Sequence, residues 1–143
     1  MNRELVRWCT LTKKENEIYR NLSKKLGLSE AEFWVMYALT INEDGVCQSK
    51  LCSCFSYPKQ TICTAVASLE KDSLVELGYI EGSKKLKNIY LTKKGKEFSI
   101  ENIKPIIDKE EEVLNRFDIE KRKMFFDFYD ELLNKIDEVL NEE

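Results

Sequence analysis

Eight lysines fall in two stretches that contain no acidic residue, 47–69 and 82–96. They are Lys50 and Lys59 in the first stretch, and Lys84, Lys85, Lys87, Lys93, Lys94 and Lys96 in the second. Short polar side chains accompany the first pair: Ser49, Gln60, Thr61, Thr64 and Ser68. Ammonium groups neutralise phosphates, and glutamine or threonine on a helix can meet base edges. That is the chemistry of binding rather than of bond making. The chain has no histidine, which removes imidazole general bases, Ser-His-Asp and Cys-His pairs, and imidazole-dependent zinc sites. Its five glycines never fall in the spacing of a nucleotide-phosphate loop. No enzyme activity, cofactor or catalytic residue is expected.

The five cysteines are Cys9, Cys47, Cys52, Cys54 and Cys63. On a helix, Cys52 and Cys54 point about 200° apart, a poor arrangement for one metal ion. No metal is expected, and Cys52, Cys54 and Cys63 read as small apolar packing residues. The charged start of the chain does not suit a secretory signal, and no apolar run is long enough to span a membrane. The expectation is a cytoplasmic protein with reduced thiols.

A chain of 143 residues, 43% hydrophobic and 34% charged, can bury the core of one domain. Its net charge of −3 is unevenly spread. Residues 1–96 carry 16 Lys/Arg against 11 Asp/Glu, and residues 97–143 carry 7 against 15. A polyanion would be drawn to the first part and repelled by the second.

The elements follow from periodicity. Ile18, Leu22 and Leu26 predict a helix over 12–25, stopped by Gly27. Ser29 and Glu32 form a capping-box pattern that opens a second helix, with Phe33, Trp34, Tyr37, Ala38 and Ile41 among its apolar positions. Short helices over 48–54 and from Pro58 to about 71 are joined by Ser56-Tyr57, the helix-turn-helix pattern. The second has a buried stripe of Ile62, Ala65, Val66 and Leu69. Its opposite face presents Gln60, Thr64, Ala67 and Lys71, with Thr61, Cys63 and Ser68 on the flanks. Two strand-like runs, 74–80 and 86–91, flank a hairpin tip carrying Lys84 and Lys85. Thr92 caps a long helix over about 93–115, with a kink expected at Pro105. A last helix covers about 119–140. Its stripe, from Phe125, Phe128 and Tyr129 to Leu140, would be exposed in a monomer and predicts a homodimer.

The ordered set resembles the MarR family of winged helix-turn-helix transcriptional regulators. The likeness covers nearly the whole chain and is strongest over residues 49–95. Pro58-Lys59-Gln60-Thr61-Ile62 with Leu69-Glu70-Lys71 looks like the family's recognition helix. Ile89-Tyr90-Leu91-Thr92-Lys93-Lys94-Gly95 looks like the close of its wing. Where the family's wing carries Asp-Arg-Arg, this chain has Ser83-Lys84-Lys85, and lysine lacks arginine's bidentate fork. Thr64 is neutral where many members are basic, and Ser73 stands where the family prefers glycine.

The expected fold is therefore mainly α (α+β), a winged helix-turn-helix with a two-stranded β-wing and long N- and C-terminal dimerisation helices. It forms one domain over 1–143, with the winged lobe at about 30–95 and the dimerisation helices at about 1–28 and 96–143. The expected function is sequence-specific binding of double-stranded DNA at a pseudo-palindromic operator, by a homodimeric repressor released by a small effector. The DNA-binding set is Ser49, Lys50, Lys59, Gln60, Thr61, Thr64, Ser68, Lys84, Lys85 and Lys87. The resemblance further implies an aromatic effector held near Tyr19, Trp34, Tyr37 and Phe98. It also implies a peroxide-sensing thiol near the first helix, where Cys9 lies beside Arg7. A protein-interaction module without a DNA site, and a thiol-based redox regulator, stand as alternatives.

Overall fold

The computed structural model describes residues 2–84 and 87–142. It comprises two compact units, Met1–Lys104 and Pro105–Glu143.

The first unit opens with α1, Arg3–Lys25. This helix begins nine residues before the predicted start. The Asn2 side chain accepts from the amides of Glu4 and Leu5 and nucleates the extra turns. Its inner face also differs from prediction: Ser23 is buried, whereas Ile18 is half exposed. Helix α2, Glu30–Ile41, starts with the predicted capping box, Ser29 and Glu32 each bonding the other's backbone amide. Ala31, Phe33, Val35, Met36, Ala38 and Leu39 are all buried, so α2 is the central post of the core. Ile41, at its end, faces solvent.

Three short elements pack around α2. Strand β1 is Val46–Cys47, α3 is Gln48–Phe55 and α4 is Lys59–Lys71. Ile62, Ala65, Val66 and Leu69 of α4 are buried, as the stripe predicted. Pro58 caps α4 from just outside, its carbonyl accepting from Thr61 and Ile62. The wing strands are β2, Val75–Tyr79, and β3, Lys87–Leu91. The sheet has three strands rather than two, in the order β1-β3-β2, because Val46 and Cys47 pair with Ile89 and Asn88. Two residues are too few to show alternation in sequence, so β1 appears only through its partner.

Helix α5, Lys93–Phe98, begins at Thr92, whose hydroxyl accepts from the Gly95 amide and donates to the Ser73 carbonyl. Gly95 allows α5 to sit this close: a Cβ there would lie 1.9 Å from the Leu74 carbonyl oxygen. The next five residues, Ser99–Ile103, form a π-helical turn in which the Lys104 amide reaches back to Ser99. The irregularity expected at Pro105 thus takes the form of a wide turn just before it. The proline cannot donate the next α-helical bond, and the widened turn shifts the pairing ahead of it.

The second unit carries most of α6, Lys104–Leu114, and all of α7, Ile119–Leu140. Asp118 stands at the start of α7. No residue of α7 is buried. Phe125 packs against Phe126 and Tyr129, yet Phe125 and Phe128 remain 57% and 63% exposed.

Candidate nucleic-acid interface

The helix-turn-helix places α4 so that its apolar stripe enters the core and its polar side faces out. Lys59, Gln60, Thr64, Ala67 and Lys71 are exposed, and Thr61, Cys63 and Ser68 are half-buried. Ser56 makes the turn between α3 and α4 with a left-handed backbone, φ 53°. Ser49 and Lys50, both exposed, stand in the first turn of α3, where free amides favour an anion.

Hydrogen bonds divide the outward residues by what they still offer. The Thr64 hydroxyl donates to the Gln60 carbonyl at 2.9 Å, and the Gln60 amide reaches it at 3.4 Å. Thr64 therefore keeps a methyl group and an acceptor for a partner, while Gln60 keeps its carbonyl and a second N–H. Ser68 donates to the Glu32 carboxylate at 3.4 Å, so its hydroxyl is already used inside the lobe. A groove of about 580 Å³ runs between the start of α2 and α4, with Glu30, Glu32, Tyr57, Gln60 and Thr64 among its walls. Burial first, and the Glu30 charge second, push the Tyr57 phenol above its ordinary pKa and keep it a hydrogen-bond donor. Glu30 and Glu32 of α2 thus stand in the groove beside Gln60 and Thr64, while α4 itself has no acidic residue from Lys59 to Ser68.

In the wing, Lys87 lies over the Tyr79 ring at 5.0 Å, which holds its ammonium group in place. Lys84 is exposed beside a turn at Glu81 and Gly82. Lys85 lies outside the described residues.

Sequence reading missed two cysteine contacts. Gln48 donates to the Cys63 sulfur at 2.8 Å, tying the start of α3 to the middle of α4. Cys47 stands at the N-terminus of α3 with its sulfur 3.3 Å from the Ser49 hydroxyl. Hydrogen bonding from Ser49, then from the Lys50 amide, holds its thiol below the ordinary value despite partial burial. Only the expected start of α3 hinted at this placement. The packing expected of the other cysteines fails for Cys54, which is exposed, while Cys52 and Cys63 are half-buried. Leu51 takes the buried position of that short helix, and Cys54 stays exposed. Cys9 is an exposed thiol on α1. Among the described residues no group of three or more Cys, Asp and Glu could hold a metal ion.

Of the aromatic residues marked for an effector, Tyr19 packs tilted and Tyr37 edge-on against Trp34. Ring centroids are 4.8 Å apart for Tyr19 and Trp34, and 5.3 Å for Trp34 and Tyr37. Phe33 and Phe55 extend the cluster. Phe98 makes no ring contact among the described residues.

Solved structures resemble this arrangement from end to end. A MarR-family regulator of Neisseria meningitidis superposes with a TM-score of 0.82 at 21% identity, covering 98% of this chain and 97% of its own. A putative MarR-family regulator of Listeria monocytogenes, solved in complex with a 26mer DNA, gives 0.71 at 22%, covering 95% and 90%. The MarR regulator of Oenococcus oeni gives 0.75 at 17%, covering 91% and 98%. The fold is that of the MarR-family regulators. No protein-family model matches the sequence, and no curated protein matches it significantly. Among the described residues no helix is long and apolar enough to cross a membrane.

Proposed function

We propose that this protein is a homodimeric, sequence-specific DNA-binding transcriptional regulator, a cytoplasmic repressor released by a small effector. One observation carries the reading: α4 has no acidic residue of its own from Lys59 to Ser68, and exposed lysines stand on α3 and in the wing. Surface helices ordinarily carry Glu and Lys outward, whereas short polar side chains fit a major groove. Gln60 and Thr64 then meet base edges, with Thr61 at their flank. Ser49, Lys50, Lys59, Lys84, Lys85 and Lys87 meet phosphates or the minor groove. Ser68, already bonded to Glu32, holds α4 against α2 and is the weakest member of the DNA-binding set. The DNA complex of the Listeria relative supports the same partner. The exposed apolar surface of α7, with that of α1, joins two copies, and two-fold symmetry gives a pseudo-palindromic operator.

The test is a titration against random duplex at two salt concentrations, followed by selection of bound duplexes from a random pool. A steep log–log salt slope and a recurring inverted repeat are expected. A flat slope, or no enriched sequence, would instead favour a protein-interaction module.

A second reading, regulation by thiol oxidation, is favoured at Cys47 rather than Cys9. Cys47 combines a lowered pKa with a place at the start of α3. A negatively charged oxidised sulfur there would compete with DNA phosphate for the same amides.

A further inference from the structure

Helix α4 ends at Lys71, and the chain leaves it through Asp72 and Ser73. Ser73 takes a left-handed backbone, φ 61°. Its amide donates to the Glu70 carbonyl, and the Leu74 amide donates to that of Leu69. This closing pattern satisfies two of the carbonyls that a helix end leaves free. Three further consecutive carbonyls, those of Asp72, Ser73 and Leu74, are met by one short segment at the start of α5. The Lys94 ammonium donates to Asp72 at 2.9 Å, the Thr92 hydroxyl to Ser73 at 2.5 Å, and the Thr92 amide to Leu74 at 3.1 Å. The wing lies between these two segments in sequence, so the three bonds form a latch at its base.

Lys94 belongs to the acid-free stretch 82–96, whose ammonium groups suit phosphate, yet its own is bonded to a helix end. The C-terminus of α4 carries the negative end of the helix dipole, which favours a cation there beyond the hydrogen bond itself. Of the three bonds, only that of Lys94 can be removed alone. Thr92 makes the other two, and its hydroxyl also accepts from the Gly95 amide to start α5. The Lys94 side chain is exposed, so an uncharged chain of similar length in its place leaves the core as it is.

We propose that Lys94 is a positioning residue for DNA binding. Its ammonium holds the exit of α4 to the start of α5 and so fixes the angle between α4 and the wing, rather than meeting phosphate. Both elements that reach for a duplex leave from this point. Helix α4 ends at it, and β2 begins at Val75, the residue after Leu74. Base contacts tolerate little misplacement, whereas phosphate contacts carry no sequence information and adapt. A loosened latch therefore costs a selected duplex more than a random one. The role in DNA binding rests on the regulator reading, but the latch itself does not.

The experiment compares Lys94→Met and Lys94→Arg with the wild-type chain, on the selected duplex and on random duplex at two salt concentrations. Lys94→Met should bind the selected duplex about two- to tenfold more weakly, the worth of one hydrogen bond. Its random-duplex affinity and salt slope should stay as in wild type. Lys94→Arg keeps a charged donor and should restore the selected-duplex affinity. Amide hydrogen exchange reads the latch without DNA. In Lys94→Met the amides of residues 72–74 should exchange faster while those of α2 keep wild-type rates, which separates a local release from a general loss of stability. The proposal is overturned if Lys94→Met binds as wild type does, if Lys94→Arg fails to restore binding, or if exchange at 72–74 is unchanged. It is overturned equally if both duplexes weaken together with a flatter slope, the mark of a lost phosphate contact. A wild-type chain that binds no duplex overturns the regulator and the positioning role with it, while faster exchange at 72–74 still upholds the latch.

Discussion

The winged lobe and the C-terminal helix use similar apolar side chains in opposite ways. In the lobe, Phe33, Met36, Leu39, Leu51, Ile62 and Leu69 are fully buried, gathered from α2, α3 and α4. In α7, Phe125, Phe126, Phe128, Leu133, Val139 and Leu140 are exposed. The charges oppose each other as well, since the lysine-rich stretches belong to the lobe and the acidic excess to residues 97–143. The lobe satisfies its own core, so its stability belongs to one chain. On the proposed homodimer reading, a second copy covers the apolar stripe of α7, and its stability would depend on concentration. The acidic excess also discourages a polyanion from binding anywhere but the lobe.

The largest effect should come from the lobe's core. Phe33→Ala removes a fully buried ring that touches Tyr19, Trp34 and Tyr37. It should cost about 3–5 kcal/mol, measured by denaturant unfolding. The loss should be similar at every protein concentration. Phe128→Glu in α7 should leave the lobe's secondary structure intact and shift sedimentation from dimer toward monomer. If both changes unfolded the chain equally, the two regions would not differ as described.

A smaller, chemical contrast lies at Cys47. Its lowered pKa means that thiolate, and so alkylation by iodoacetamide, should appear at lower pH than for an ordinary thiol. Ser49→Ala removes the leading cause, so the midpoint should rise. An unchanged pH profile would remove the support for the redox reading. Smallest is Ser73→Gly. Ser73 has a left-handed backbone, φ 61°, and glycine there should raise stability by up to about 1 kcal/mol.

Much of this was legible in the sequence for identifiable reasons. Ser29 with Glu32, Pro58, and Thr92 with Gly95 are local signals, each read within four residues. The α7 stripe repeats often enough to fix its bounds at Ile119 and Leu140. What escaped depends on partners distant in sequence or on backbone pairing. Strand β1 exists because Val46 meets Ile89. The π-turn at Ser99–Ile103 leaves no mark on hydrophobic spacing. At the interface, side-chain periodicity gave the outward face of α4 correctly. It could not show that Ser68 bonds Glu32, that Thr64 spends its hydrogen on Gln60, or that the Cys47 sulfur meets the Ser49 hydroxyl at the start of α3.

The most direct test of the DNA-binding account compares two variants on two kinds of duplex. On the proposed reading, lysines of the wing would set affinity without reading sequence, whereas Gln60 would specify. Lys84→Ala with Lys85→Ala should weaken binding to selected and random duplex alike, flattening the salt slope by about 1 for each phosphate left without its lysine. Gln60→Ala should cost about 1–3 kcal/mol on the selected site and almost nothing on random DNA. An unchanged ratio of selected to random affinity in Gln60→Ala would contradict the assignment of α4 as the element that reads sequence.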